Sequence, residues 1–200
     1  MTVYHGGKFK HGKQIAEIIK NIYDQQDKQT IRGYVEPFCG MCGVYRHIVQ
    51  ILPRHLKYLA SDQHDSLILM WKALQDGWKP PNNCSISRYK KLKYSSPSPE
   101  KAYVGFTYSY GGQFFAGQHQ QTRNKYVPDK SETISTLARE ILNRVKFSKQ
   151  SYEKYDDIYG YIIYCDPPYA KRSIYYHDVK DTRTQIKFIH ERLDNRNRTR

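Results

Sequence analysis

Residues 34–43 are Tyr34-Val35-Glu36-Pro37-Phe38-Cys39-Gly40-Met41-Cys42-Gly43. Tyr34-Val35-Glu36 is short and β-prone, and Pro37 ends it because proline brings no N–H to a ladder. Gly40 and Gly43 then bracket a turn. Val44, Ile48, Ile51 and Leu52 follow at helical spacing, closed by Pro53. Strand, glycine turn and helix in that order begin an α/β alternation.

Upstream, Ile15, Ile18, Ile19 and Ile22 fall at the spacing of one helical stripe, and residues 24–29 are a polar loop. Downstream, Tyr58-Leu59-Ala60-Ser61 predicts a second strand ending at Asp62. Residues 67–74, apolar on nearly every side, predict a buried helix. Pro80-Pro81-Asn82-Asn83 and Ser95-Ser96-Pro97-Ser98-Pro99 are loop signals around a basic stretch, Arg88 to Lys93. Residues 103–128 mix aromatics, Gly and Gln without a clean period, so 77–130 reads as irregular. Ile134, Leu137, Ile141, Leu142 and Val145 restore a helical stripe. Tyr161-Ile162-Ile163-Tyr164 then predicts a strand that runs into Cys165-Asp166-Pro167-Pro168-Tyr169. The alternation predicts an α/β fold with a parallel sheet, and ligands of such sheets bind beyond the carboxyl ends of the strands. Three strand ends therefore define the candidate site: Glu36 to Gly43, Asp62, and Asp166 to Tyr169.

Composition narrows the function classes. The 200 residues carry a formal net charge of +14, which fits an anionic partner, nucleic acid first. A mean hydropathy of −0.82 and the lack of any apolar run near the ~20 residues of a spanning helix exclude a membrane-embedded protein. The start, Met1 to Lys8, holds no secretory apolar segment, so an intracellular, reducing setting is expected. Four cysteines, Cys39, Cys42, Cys84 and Cys165, are too scattered for a secreted disulfide scaffold. The 19 tyrosines fit either a surface that meets phosphates and bases or drift in an AT-rich genome, and the count alone does not separate the two.

The residues that carry chemistry lie at the strand ends. In Asp166-Pro167-Pro168-Tyr169 two prolines stop the ladder and leave carbonyls facing outward. The carboxylate and the Pro167 carbonyl are acceptors that can take both protons of an exocyclic amino group, while Tyr169 offers a π face. A strand-ending turn with its Tyr packed at the rim is the structural alternative. The glycines of residues 36–43 let backbone approach a ligand, and an acid at Asp62 can accept from ribose hydroxyls. A tight packing turn and a helix cap are the alternatives there. Cys39-Gly40-Met41-Cys42 lacks the second ligand pair of a zinc site and the surroundings of a redox motif, so no metal is assigned. The two cysteines read as small buried residues beside the loop, and His5 and His11 read as solvated.

Four blocks stand in one order: Tyr4-His5-Gly6-Gly7-Lys8, Val35 to Gly43, Ala60-Ser61-Asp62, and Cys165 to Tyr169. This order resembles the Dam-type adenine-specific (N6-adenine) DNA methyltransferases, over roughly residues 1–175. Ser109 to Gly117 is also similar to a segment that some members carry. The resemblance implies a Rossmann-like S-adenosylmethionine-dependent methyltransferase sheet with an inserted DNA-recognition segment. It implies cofactor contacts from Tyr4, Lys8, Glu36, Phe38, Gly40 and Asp62, with Asp166 near the methionine end. It implies a catalytic set of Asp166, Pro167 and Tyr169 acting on an adenine flipped out of duplex DNA. Arg88, Lys90, Lys91, Lys93, Arg123 and Lys125 would contact phosphates, and a solvated face is the alternative for each.

On this reading residues 1–76 are the cofactor half, 77–130 the target-recognition segment, 131–182 the return with the catalytic motif, and 183–200 a basic, disordered tail. A monomer without a membrane partner is expected, with a cognate restriction endonuclease system as a candidate partner. Related Asp/Asn-Pro-Pro-aromatic motifs also serve cytosine, RNA and glutamine methylation. The Gly-Gly-Lys start and the basic middle segment favour adenine in DNA. Family members continue well past the catalytic motif, whereas this sequence runs only from Ala170 to Arg200 beyond it, so an inactive remnant that binds DNA is the alternative expectation.

Overall fold

A computed structural model describes residues 7–118 and 127–167. Four strands form one parallel sheet: β1 (Gly33–Glu36), β2 (Lys57–Asp62), β3 (Val145–Lys149) and β4 (Tyr161–Ile163), in the spatial order β3-β2-β1-β4. Register is continuous from Gly33 opposite Lys57 and Tyr161 to Val35 opposite Leu59 and Ile163. The strand order reverses at β1, with β2 on one side and β4 on the other. Such a switch point opens a crevice at the carboxyl ends of the two strands. This is a Rossmann-like arrangement, as the alternation predicted.

The helices are α1 (Gly12–Gln25), α2 (Tyr45–Ile51), α3 (Asp65–Gln75), α4 (Ile86–Lys93), α5 (Pro99–Thr107) and α6 (Val127–Thr136), the last running on as a π turn over Leu137–Ile141. None of the helices among the described residues is long and apolar enough to cross a membrane. The chain divides into a unit ending at Tyr164 and a second beginning at Cys165.

Three expectations need revision. The helix over residues 13–22 is present, but its buried face is Gly12, Ala16, Ile19 and Tyr23, while Ile18 and Ile22 are exposed. The face is set by a close approach at Gly12, where any Cβ would overlap the Gly43 carbonyl oxygen. Val145, read as the end of a helical stripe, instead begins β3. Val145 and Phe147 are buried with exposed Lys146 between them, a short alternation that only two apolar residues report. Gln75 Nε2 holds the turn into β3 by donating to the carbonyls of Leu142 (2.6 Å) and Val145 (3.0 Å). The segment read as irregular holds α4, α5 and the start of α6 where described. Ser85 caps α4 and Ser98 caps α5, each accepting from the N–H three residues on. Short helices built from Tyr, Lys and Gly give little periodic signal.

The core is rich in aromatic hydroxyls. Tyr34, Tyr45, Tyr58, Tyr89 and Tyr103 are all buried, so much of the tyrosine excess serves packing and not a surface.

Candidate active site

The loop after β1 is tied to the end of β2 at several points. Cys39 N–H donates to the Ser61 carbonyl (2.9 Å) and Ser61 Oγ to the Pro37 carbonyl (3.4 Å). Gly40 N–H donates to Asp62 Oδ2 (3.1 Å), and Trp71 Nε1 on α3 donates to the Gly40 carbonyl (2.9 Å). Both polar groups of Gly40 are thus held, with φ at 46°, in the left-handed region that favours glycine. Cys42 shares that region at φ 57° and donates its N–H to the Cys39 carbonyl (2.8 Å).

Asp62 is the organising acid. Oδ1 accepts from His64 N–H (2.9 Å) while Oδ2 accepts from Gly40. Burial pushes its carboxyl above the ordinary value against the opposing pull of the backbone N–H groups of His64, Gly40 and Gln63. A carboxylate has about four acceptor positions, so these backbone bonds leave capacity for a ligand hydroxyl. The residue as a whole is half-buried, so a ligand at the strand end can reach it. Asp62 is not the cap of α3; that role falls to His64, whose Nδ1 accepts from Leu67 N–H (3.2 Å).

Glu36 lies buried at the end of β1 and accepts from Tyr34 Oη (2.8 Å), a residue on the same face two positions earlier. Burial, and then Glu36, push the Tyr34 hydroxyl well up, so it remains a neutral donor. Phe38 is half-buried, its ring 5.5 Å from that of Tyr152. Lys8 and Phe9 meet this loop directly: a Cβ on Gly43 would lie 3.1 Å from the Lys8 nitrogen and 3.2 Å from that of Phe9. The structure therefore brings Lys8, Glu36, Phe38, Gly40 and Asp62 to one end of the sheet. Tyr164 N–H donates to the Val35 carbonyl (2.9 Å), which sets the carboxyl end of β4 beside that of β1. Asp166 and Pro167, both half-buried, follow Tyr164 in the chain by two and three residues.

Tyr4, Tyr169, Arg123 and Lys125 lie outside the described residues. Lys90, Lys91 and Lys93 are exposed on the last turn of α4, opposite buried Tyr89 and Leu92. Arg88 is exposed too, but its guanidinium forks onto Glu100, with Nε to Oε1 at 2.6 Å. Cys39 and Cys42 are buried, and burial pushes both thiols up, which is the character of packed residues and not of nucleophiles. Trp71 and His64 escaped the sequence reading. The indole sits within an apolar helix and reads as core, and a histidine after a strand gives no signal of its capping and packing roles.

A family model of the D12 class N6 adenine-specific DNA methyltransferases matches residues 4–104. The chain belongs to this family. The match spans the N-terminal block, the loop after β1, Asp62 and most of the α4–α5 segment. Membership in the D12 class makes DNA the expected substrate and requires a methyl donor. No curated protein sequence matches the chain.

Proposed function

We propose that the chain transfers a methyl group from S-adenosylmethionine to the 6-amino group of an adenine extruded from duplex DNA. The observation that carries this reading is the Asp62 carboxylate, fixed at the end of β2 by Gly40 and His64, where it could accept from a ribose hydroxyl. The residues present fit that cofactor. The loop of residues 37–43 has its backbone held in place by Ser61, Asp62 and Trp71, and Glu36 supplies a second acid at its root. Lys8 and Tyr4 would close the N-terminal side, and Phe38 the other.

When bound, S-adenosylmethionine supplies an electrophilic methyl carbon on a sulfonium. The chain's own groups act on the acceptor. An arylamine is a poor nucleophile because its lone pair is delocalised into the ring. Asp166 and the Pro167 carbonyl would each accept a hydrogen bond from the 6-amino group, favour a pyramidal nitrogen and localise that pair. Tyr169 would stack on the extruded base and hold it in line, so positioning supplies much of the rate. Extrusion costs about a few kcal/mol, offset by stacking and hydrogen bonding in the pocket. Lys90, Lys91 and Lys93 on α4, with Arg123 and Lys125, would hold phosphates in the target-recognition segment 77–130. Arg88 would join them only by leaving Glu100.

The test is enzymatic digestion of unmethylated duplex DNA after incubation with the full chain and S-adenosylmethionine, followed by nucleoside analysis. The expected product is N6-methyldeoxyadenosine. Methylated cytidine, or methylation of RNA alone, would overturn the assignment of the acceptor.

A further inference from the structure

His64 stands between the two halves of this machinery. Its N–H donates to Asp62 Oδ1, the carboxylate that also holds Gly40. Its Nδ1 accepts from Leu67 N–H, which fixes the ring's orientation at the start of α3. The ring then meets Phe114 edge-on, with centroids 4.4 Å apart and planes at 86°, and lies 5.4 Å from Phe106. Phe114 belongs to the loop Ser109–Gly117, far from Asp62 in sequence.

That loop is a knuckle held by local contacts. Phe114 and Phe115 pack over Gly105, where a Cβ would overlap the Phe114 ring. Phe115 N–H donates to the Gly105 carbonyl (3.1 Å) and Tyr110 N–H to the Gly117 carbonyl (2.9 Å). Ser109 Oγ donates to the Gly105 carbonyl and lies 2.6 Å from Tyr89 Oη. Tyr89 is the buried side of α4, the helix that exposes Lys90, Lys91 and Lys93. At the knuckle's tip Tyr110 is 72% exposed.

We propose that His64 is a positioning residue that couples the cofactor loop to this knuckle, so that an adenosine-bearing cofactor and DNA strengthen each other's binding. The inference rests on the methyltransferase reading above. A ligand that fixes Asp62 fixes the His64 backbone, and through the His64 ring it fixes Phe114 and the knuckle that α4 shares. Coupling of this kind is reciprocal, so DNA pressed on the knuckle tightens the cofactor site by the same factor.

The experiment measures affinity for an unmethylated DNA duplex with and without S-adenosylhomocysteine, together with amide hydrogen exchange over residues 105–117. In the wild-type chain S-adenosylhomocysteine is expected to tighten DNA binding about tenfold and to slow exchange in the knuckle. His64→Asn keeps a capping acceptor and the backbone donor to Asp62 but removes the ring. It is expected to lose both the tightening, read as the ratio of DNA affinities with and without S-adenosylhomocysteine, and the slowed exchange. Phe114→Leu removes the ring from the other side and is expected to show the same loss; it decides alone should the asparagine variant not fold. Wild-type coupling in the folded variants, or no coupling in a wild-type chain that binds both ligands, overturns the proposal. A wild-type chain that binds no S-adenosylhomocysteine overturns the methyltransferase reading itself, and the proposal with it.

Discussion

The Asp62 carboxylate and the Gly40 amide, 22 positions apart in sequence, are joined by a 3.1 Å hydrogen bond that fastens the loop after β1 to the end of β2. Two of the four sequence blocks are thereby one structural object. The bond also explains why the acid is needed before any ligand arrives. Without it the Gly40 N–H would lose its partner in a buried loop, at a cost of about 1–3 kcal/mol.

Asp62→Asn tests both duties of this acid. The amide turns one acceptor into a donor facing a backbone N–H, so stability should fall by about 1–3 kcal/mol in denaturant melts and cofactor affinity should fall with it. Burial raises the Asp62 pKa in the fold. The linked stability term is therefore full below the unfolded-state value and lost as pH rises through the folded-state value. Ribose hydroxyls need the ionised form, so wild-type cofactor affinity should decline on acidification with a midpoint above that of an ordinary aspartate. Calorimetric titrations across acidic pH check this, and the limb should vanish in Asp62→Asn.

Trp71→Phe removes the indole donor to the Gly40 carbonyl while keeping an aromatic ring near Phe147, on which Trp71 now stacks with planes 8° apart. A drop of about 1–3 kcal/mol in stability is expected, with weaker cofactor binding at temperatures where the variant is still folded. Unchanged affinity and an unchanged melting curve would show that the Gly40 carbonyl finds another partner.

Gly12→Ala places a methyl group on the Gly43 carbonyl, which is backbone and cannot swing aside. Overpacking of this kind costs about 1–3 kcal/mol. The strain falls on the contact between α1 and the loop, so cofactor affinity should suffer beyond the loss in stability. Thermal melts alongside cofactor titration separate the two effects.

Replacing Lys90, Lys91 and Lys93 together by Ala should weaken binding to all DNA sequences alike. It should also flatten the dependence of log affinity on log salt by about one unit for each phosphate that the helix no longer holds. Cofactor affinity should not change. An unaltered salt slope would assign these lysines to the helix end alone, where they also complement the α4 dipole.

Much of this site is legible in the sequence because its parts are local. Pro37 and the glycines announce the end of β1, Asp62 the end of β2, and Tyr161 to Tyr164 the strand before Asp166. What the sequence conceals is non-local. β3 carries two apolar residues and merges by spacing with the helix before it. The buried face of α1 is chosen by the contact of Gly12 with Gly43, not by the isoleucine pattern. Trp71 and His64 act through bonds to Gly40 and Asp62 and rings of the knuckle, which no short-range periodicity can report. The basic segment hid its helices for a related reason: its buried positions, such as Tyr89 and Tyr103, are tyrosines, which the sequence assigns to neither core nor surface.

The most direct test of the central claim is the rate of transfer of a labelled methyl group from S-adenosylmethionine to unmethylated duplex DNA, measured for the wild-type chain and for Asp166→Ala. The account predicts label in adenine from the wild-type chain and a loss of at least about a hundredfold in the variant, with cofactor affinity reduced far less. Undiminished transfer by Asp166→Ala, or no transfer by a folded wild-type chain that binds both cofactor and DNA, would contradict it.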